Sequence, residues 1–321
     1  MSPLPCRLWI RLLVMVVVVV SALALDLQST DRRSFLTQNG IVSAGAIMLT
    51  SLPAHAESLS ERLAARDPSK LTNSLFNKPP AAMVYPDFMR NAVWDVQAQF
   101  GGYLFPSTKI PKDQLLAKAT TPGFQKCSIA AISDIGREGT VQYAMHILPN
   151  GLEDRAFTLK QQIDAYLGYP AVSEVLYNAK ANPNRISIDF VDYKTINAER
   201  IELFCNGRES QLQLPLDNNS NGRDVFVHSE YIRQVTFGGG SEVGIPRQVS
   251  SNYAHFWTWS QPHTGSSDDN NNTPAVLKGN LLTAAYLDPQ DPNFFEEPTK
   301  PVAVYSHVLK ATKRGEAKNN A

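Results

Sequence analysis

Hydrophobic and polar residues alternate along most of the chain beyond residue 85, with the period of two that is typical of half-buried β-strands. The clearest example is Trp94–Phe100, in which every second residue is apolar. The segments Val141–Ile147 and Ile186–Phe190 repeat this pattern. Further strands are predicted at 198–205, 209–214, 224–237, 253–260, 281–287 and 302–311.

Turn-forming pairs separate several of these strands, among them Asn206-Gly207 and Asn221-Gly222. In the same region, only Lys160–Leu167 has a helical pattern. Many short strands without interleaved helices are typical of an antiparallel sandwich or barrel. Of the two, we predict the barrel: an all-β fold built on an antiparallel up-and-down β-barrel, with one short helix and an N-terminal arm.

The arm is predicted from a short helical pattern over residues 58–66. Ser58 and Glu61 have the spacing of a capping box, and Asp67-Pro68 ends the helix. A proline-containing linker, Asn77–Ala82, follows. These boundaries assign residues 57–84 to the helix and linker, 85–312 to the barrel domain and 313–321 to a flexible tail.

Residues 1–24 have the pattern of a secretory signal peptide. Arg7 and Arg11 precede the apolar run Leu12–Val20, and Ala22-Leu23-Ala24 supplies the small residues of a cleavage site. The run is shorter than the roughly 18 apolar residues expected of a membrane-spanning helix. An uncleaved membrane anchor is the alternative interpretation.

Residues 25–56 combine a short transit segment with a second export signal. Arg32 and Arg33 precede a mildly apolar stretch, Ile41–Leu52, and Ala54-His55-Ala56 ends it. This order matches a twin-arginine signal with its cleavage site. The alternative is a chance pair of arginines before a core helix.

Two export signals in series fit a complex plastid, which a protein enters through the endomembrane system before it reaches the thylakoid lumen. We therefore predict a location in the thylakoid lumen, with the twin-arginine translocase as a partner during import. The mature protein then begins at Glu57 and has about 265 residues.

Charge and cysteine content exclude several classes of protein. Residues 1–56 hold four of the 30 basic and two of the 30 acidic residues, so the remainder carries 26 and 28. This near-neutral balance predicts that nucleic acid is not a partner. After cleavage only Cys127 and Cys205 remain, which excludes a disulfide scaffold and leaves either one disulfide or two buried thiols.

Catalytic and phosphate-binding motifs are absent from the sequence, and the histidines lack the spacing of metal ligands. We therefore predict neither a metal site nor a cofactor, and we assign no catalytic residue. One arrangement suited to proton transfer is His228 with Glu230 on one strand face, beside Arg233. The alternative is a solvated strand face, which shows the same alternation.

The predicted strand 253–260 is unusually aromatic. Alternation places Tyr253, His255, Trp257 and Trp259 on one face. If that face lines the barrel, it forms the wall of a ligand site; if it points outward, it forms a docking patch for a membrane complex. Plain core packing is the third interpretation.

Several short motifs resemble an uncharacterised family of cyanobacterial and plastid lumenal proteins. They are Tyr85–Phe88 followed by Trp94, Thr121–Phe124, Asn182–Ile186 and Tyr253–Trp259. Trp94 also resembles the first-strand tryptophan of lipocalin-type barrels. The resemblance implies a lipocalin-like (calycin-like) barrel whose open mouth takes a lipophilic ligand, with Trp94 either in the core or against that ligand.

Three classes of function are compatible with these expectations. The first is a lipocalin-like binder of a small lipophilic ligand, such as a pigment, quinone or lipid. The second is a non-catalytic assembly or auxiliary factor for a thylakoid membrane complex. The third is a lumenal enzyme on a lipophilic substrate, which requires titratable groups of shifted pKa inside the barrel. We favour the first two classes over the third.

Overall fold

The computed structural model describes residues 57–73, 80–117, 140–195, 198–214, 223–238, 247–261 and 275–314. Within them, nine strands are formed: β1 Ala92–Leu104, β2 Thr140–Ile147, β3 Val172–Asn178, β4 Asn182–Phe190, β5 Arg200–Gln213, β6 Asp224–Gly238, β7 Arg247–Gln261, β8 Val276–Tyr286 and β9 Ala303–Lys313. The α-helices of the same residues are α1 Leu59–Ala64, α2 Lys112–Leu116 and α3 Arg155–Leu167, and short 3₁₀ helices are formed by Pro68–Lys70, Asp87–Met89 and Phe294–Glu296. The predicted targeting segments, Thr121–Phe124, Cys127, Asn221-Gly222 and residues 315–321 lie outside the described residues.

The nine strands form one antiparallel sheet in the order β2-β1-β9-β8-β7-β6-β5-β4-β3. Neighbours in this order are consecutive in the chain except for β1 and β9, which pair with each other. The predicted all-β, antiparallel up-and-down class is therefore confirmed. Among the described strands, pairing does not close the sheet, because β2 and β3 remain as its two edges. The chain between them forms α3, and this helix packs against both edge strands.

β5 corrects one prediction made from the sequence. Asn206-Gly207 was expected to form a turn between two strands, but the structure has one continuous strand with a β-bulge between Cys205 and Gly207. Asn206 is the extra residue of this bulge. A bulge changes which residues of a strand face inward, because side chains alternate with a period of two. Beyond the bulge, Arg208 therefore lies directly opposite Glu230.

Two elements were missed or shortened by the sequence pattern. Strand β3 was not predicted, since it is a largely exposed edge strand without a clean alternation. Helix α3 begins at Arg155, five residues before the predicted helical segment. Its N-cap is Asp154, whose carboxylate accepts a hydrogen bond from the backbone of Phe157, and left-handed Gly168 ends it.

The predicted N-terminal helix is present and carries its capping box. The Ser58 hydroxyl accepts from the Glu61 backbone N–H, and the Glu61 carboxylate accepts from the Ser58 backbone N–H. Leu59 and Leu71 are buried against the outer face of β6–β8, and the Tyr286 hydroxyl donates to the carbonyl of Leu71 at 2.7 Å. The arm is therefore part of the folded domain rather than a loose extension.

The opposite face of the sheet, which we call the inner face, carries the main core. Trp94 is buried there, and its indole N–H donates to the backbone carbonyl of Met89 at 3.0 Å. It belongs to one buried cluster with residues from strands as distant as β6, including Phe226 and Trp259. Among the described residues, no helix combines the length and apolarity needed to cross a membrane.

Candidate functional site

The inner faces of β6 and β7 bring the aromatic and titratable residues of the sequence together. Antiparallel pairing sets His228 opposite Trp257, and Glu230 opposite His255. Tyr253, His255, Trp257 and Trp259 all point to this face, as alternation predicted, and all four line one small cavity. Trp94 is not a lining residue of that cavity. We call Tyr253, His255, Trp257 and Trp259 the aromatic row. The structure thus places the aromatic row at a cavity and Trp94 in the core.

The cavity has a volume of about 50 Å³. A water molecule takes about 30 Å³ in the liquid, whereas sites for whole small molecules measure about 300–1,000 Å³. Its wall is both aromatic and charged, and the charged side chains are Glu153, Arg155 and Glu230. The space therefore suits water or one compact chemical group. We call it the inner cavity.

Glu230 is the centre of a buried ionic cluster. Arg155 Nη1 lies 2.5 Å from Glu230 Oε1, and Arg208 Nε lies 2.6 Å from the same oxygen. Burial by itself raises the pKa of Glu230, but the two guanidinium groups outweigh it and hold that pKa well below its usual range. Glu230 is consequently an anion at neutral pH.

Arg208 fastens this cluster to the surrounding chain. Its Nη1 donates to the carbonyl of Ala81 at 2.9 Å and to Asn184 Oδ1 at 2.8 Å, and its Nη2 donates to the carbonyl of Pro183 at 2.8 Å. Because so many of its N–H groups are already used, Arg208 has a structural role. The bulge in β5 makes these contacts possible, because it turns the side chain of Arg208 towards the inner face.

Arg155 is less completely bonded. It is the first residue of α3, which follows a tight turn at Gly151, and it lines the inner cavity. Gly151 has a φ of +80°, and a Cβ there would lie 2.6 Å from Arg90 Nε, so a larger residue would strain the turn. Arg155 Nε is buried and has no hydrogen-bond partner among the described residues. One buried donor of this cavity-lining residue is therefore unused by the described residues.

Glu153 adds a second carboxyl to the cavity wall. Its Oε2 lies 3.4 Å from the hydroxyl of Tyr85, which is the donor. Burial raises the pKa of Glu153, and the negative charge of Glu230 raises it further, against the opposing effect of Arg155. The environment thus favours the protonated, neutral form of Glu153 more than water does.

His228 and His255 are both buried, and burial lowers the pKa of each imidazole to about 3. His255 Nδ1 lies 2.9 Å from Thr283 Oγ1. His228 stacks on Trp257 with ring centroids 4.6 Å apart and on Phe226 at 5.1 Å. Neither nitrogen of its ring has a hydrogen-bond partner in the described part of the chain. Both imidazoles are therefore neutral at physiological pH.

The predicted pairing of His228 with Glu230 and Arg233 is only partly realised. His228 and Glu230 do share a face, and that face is buried, so the alternative of a solvated strand face is wrong. Arg233 points to the outer face and is exposed. Glu230 is a poor general base, because two arginines stabilise its anion.

The charged residues that dominate the site were missed by sequence reasoning. Glu153, Arg155 and Arg208 lie on a turn, a helix start and a strand beyond a bulge, and none belongs to a recognisable motif. Cys205 was expected either to pair with Cys127 or to be a buried thiol; in the structure its thiol is buried, and burial raises its pKa to about 12. Among the described residues, no group of three His, Cys, Asp or Glu is arranged to hold a metal ion.

Comparison with known proteins gives one match. The family model described as Domain of unknown function (DUF6816) matches residues 78–314, about three quarters of the chain. No curated protein and no solved structure matches the chain. The matched segment includes all nine strands and every residue of the inner cavity. The chain therefore belongs to the DUF6816 family.

Proposed function

We propose that this protein binds a small lipophilic ligand in a lipocalin-like manner, and that the ligand carries a carboxylate head that enters the inner cavity. Arg155 carries the proposal, because it lines an aromatic-walled cavity and its buried Nε has no hydrogen-bond partner among the described residues. A buried donor left without an acceptor costs about 1–3 kcal/mol. A carboxylate fits well, since its two oxygens match the planar donors of a guanidinium group.

The charge balance of the cluster supports an anionic ligand. Two guanidinium groups share the single carboxylate of Glu230. Burial raises the pKa of the second carboxyl, Glu153, and so opposes the ionisation that would balance this positive charge. An acidic head group beside Arg155 would supply the missing negative charge.

The size of the inner cavity supports a lipid acid over a pigment or a quinone. About 50 Å³ accommodates a head group but not a large ring system. Trp257 is the one member of the aromatic row that stays partly exposed. The apolar part of the ligand would then lie against Trp257, where its contact with the indole ring provides the favourable burial of apolar surface.

A fluorescence titration of mature protein, Glu57–Ala321, with cis-parinaric acid tests this function. We expect saturable binding with energy transfer from tryptophan, and about tenfold weaker binding of the methyl ester, which lacks the charge. Arg155→Gln should weaken binding of the acid by at least about tenfold, whereas Arg185→Gln on the outer face should not. Equal affinity for acid and ester would contradict the carboxylate site.

Native mass spectrometry of the protein from its own plastids tests the broader alternatives. A stoichiometric lipid acid would support the binding function. An empty protein that co-purifies with a thylakoid membrane complex would favour the assembly or auxiliary role instead. Conversion of a lipophilic substrate by the purified protein would favour an enzyme.

We also propose the thylakoid lumen as the site of action, reached through the twin-arginine translocase. Glu57 forms an ion pair with Lys70, and Ser58 caps α1, so the chain directly after Ala56 already belongs to the folded arm. This supports cleavage after Ala56. Fusion of residues 1–56 to a fluorescent protein should direct it to the lumen, and a fusion with both Arg32→Lys and Arg33→Lys should stay in the stroma. Delivery of that variant to the lumen would contradict the proposal.

A further inference from the structure

A second cavity, of about 410 Å³, lies on the outer face of the sheet. Its walls are the end of the N-terminal arm, the outer faces of β5–β7 and the loop that follows β8. The backbone N–H of Asn73 donates to the carbonyl of Thr299 at 2.9 Å, which ties the arm to that loop. We call this cavity the outer cleft. It shares no lining residue with the inner cavity.

Polar side chains from separate segments converge on the outer cleft. Asn206, the extra residue of the β5 bulge, is exposed and lines it. Arg233 of β6 and Asn252 of β7 lie directly opposite each other on the same face. The bulge therefore serves two purposes: it turns Arg208 inward and presents Asn206 to the cleft.

The loop after β8 supplies an anchored carboxylate. Asp288 is buried, and its Oδ2 accepts a hydrogen bond from Asn252 Nδ2 at 3.1 Å. Its Oδ1 accepts from the backbone N–H of Gln290 at 3.0 Å. These bonds fix the orientation of the carboxylate before any ligand arrives, which lowers the entropy cost of binding. A carboxylate has about four lone-pair positions, so acceptor capacity remains.

The floor of the outer cleft is apolar. Phe294 is buried and lines it together with Leu287. Two prolines of the same loop, Pro289 and Pro298, complete this wall. A ligand with both hydroxyl groups and a C–H face matches such a lining, because the C–H face covers the apolar floor while the hydroxyl groups reach the polar rim.

We infer that the outer cleft binds a neutral polyhydroxylated ligand built on a hexose ring. Among the described lining residues, the one positive side chain, Arg233, is balanced by the one negative side chain, Asp288, so this lining favours neither an anion nor a cation. Side-chain amides such as those of Asn206 and Asn252 both donate and accept hydrogen bonds, as sugar hydroxyl groups do. The volume falls within the range of about 300–1,000 Å³ that small-molecule sites occupy.

The hexose can come from a free sugar or from the head group of a glycolipid, and the experiment separates these sources. Titrations of the mature protein with galactose, glucose and sucrose, followed by the side-chain amide signals in NMR spectra, test the free sugars. Sedimentation with phosphatidylcholine vesicles, with and without monogalactosyl diglyceride, tests the glycolipid. We expect saturable shifts of the Asn206 and Asn252 amides with a sugar, or retention only on the glycolipid vesicles.

Exposed positions provide variants that leave the core intact. The double variant Asn206→Ala, Arg233→Ala should weaken the observed binding by about tenfold or more. The matched control Asn280→Ala, Lys278→Ala alters one exposed asparagine and one exposed cation at the far end of β8 and should leave binding unchanged. Absence of binding to every sugar and both vesicles would overturn the inference. Binding that the double variant leaves unchanged would also overturn it.

Discussion

Two carboxylates in this protein are each held by two arginines, one on the inner face and one on the outer face. Glu230 is contacted by Arg155 and Arg208, whose side chains are only 11% and 5% exposed. Glu202 is contacted by the outer-face residues Arg185 and Arg200, whose side chains are 52% and 43% exposed. Both carboxylates are themselves buried.

The two clusters differ in how much contact their arginines keep with water. On the outer face, each arginine keeps much of its contact with water, and the Ser187 hydroxyl adds a hydrogen bond to Glu202 at 2.8 Å. On the inner face, the arginines have exchanged water for protein. Burial of an ion pair costs several kcal/mol per ion, and one unpaired buried charge is worse. Loss of the carboxylate should therefore cost more stability on the inner face than on the outer face.

The largest effect is expected from Glu230→Gln. The amide keeps the shape of the side chain but removes its charge, so Arg155 and Arg208 lose the carboxylate that both of them contact. We expect a loss of about 3–5 kcal/mol in the free energy of unfolding, measured by urea denaturation. A loss of about 1 kcal/mol or less would mean that water reaches the inner cluster.

Low pH should also lower the stability of the protein through the buried histidines of the inner face. Burial lowers the pKa of His228 to about 3, whereas in the unfolded chain it is about 6.5. The unfolded state therefore binds more protons between these values, and stability is lost as the pH falls from about 6.5 towards 3. Each such histidine contributes a slope of up to about 1.4 kcal/mol per pH unit.

His228→Phe tests this contribution, because Phe keeps the aromatic stack and removes the titratable ring. We expect the pH dependence of the unfolding free energy to flatten by up to about 1.4 kcal/mol per pH unit within that window. At pH 7 the variant should be at least as stable as the natural protein, since it removes two buried nitrogens that have no hydrogen-bond partner among the described residues. An unchanged slope would show that His228 is hydrated in solution.

The smallest effect is expected from Glu202→Gln on the outer face. Its arginine partners regain water when the carboxylate is lost, so we expect a loss of about 1 kcal/mol or less at low salt. This loss should shrink at 1 M salt, where the Debye length is about 3 Å, while the effect of Glu230→Gln should persist. Urea denaturation of both variants at two salt concentrations measures this difference in salt dependence. Equal salt sensitivity of the two variants would contradict the expected difference between the two faces.

The alternating pattern predicted most of the sheet correctly. β1, β2, β4 and β6 through β9 each overlap a predicted strand, and the shared face of Tyr253 and Trp259 is confirmed. These predictions succeed because a strand with one buried face needs apolar residues at every second position. The edge strand β3 has little buried surface, so its sequence is less constrained and the pattern does not reveal it.

The candidate site was much less predictable. The aromatic row was found from its composition, but Arg155, Arg208 and Glu153 looked like ordinary surface charges in the sequence. Arg208 faces inward only because of the bulge at Asn206, and the sequence Asn206-Gly207 suggests a turn more strongly than a bulge. Such charged side chains are buried only where oppositely charged partners contact them, and these partners lie far away in the sequence.

The sequence by itself determined the β-rich class, the antiparallel strands and the capped helix of the arm, because each depends on neighbours within a few residues. Tertiary structure decided that α3 lies against both edges of the open sheet. It also decided that two arginines meet one glutamate on the inner face, and that Asn206, Arg233 and Asp288 surround an outer cleft. Those arrangements depend on register, bulges and long-range packing, which local alternation does not specify.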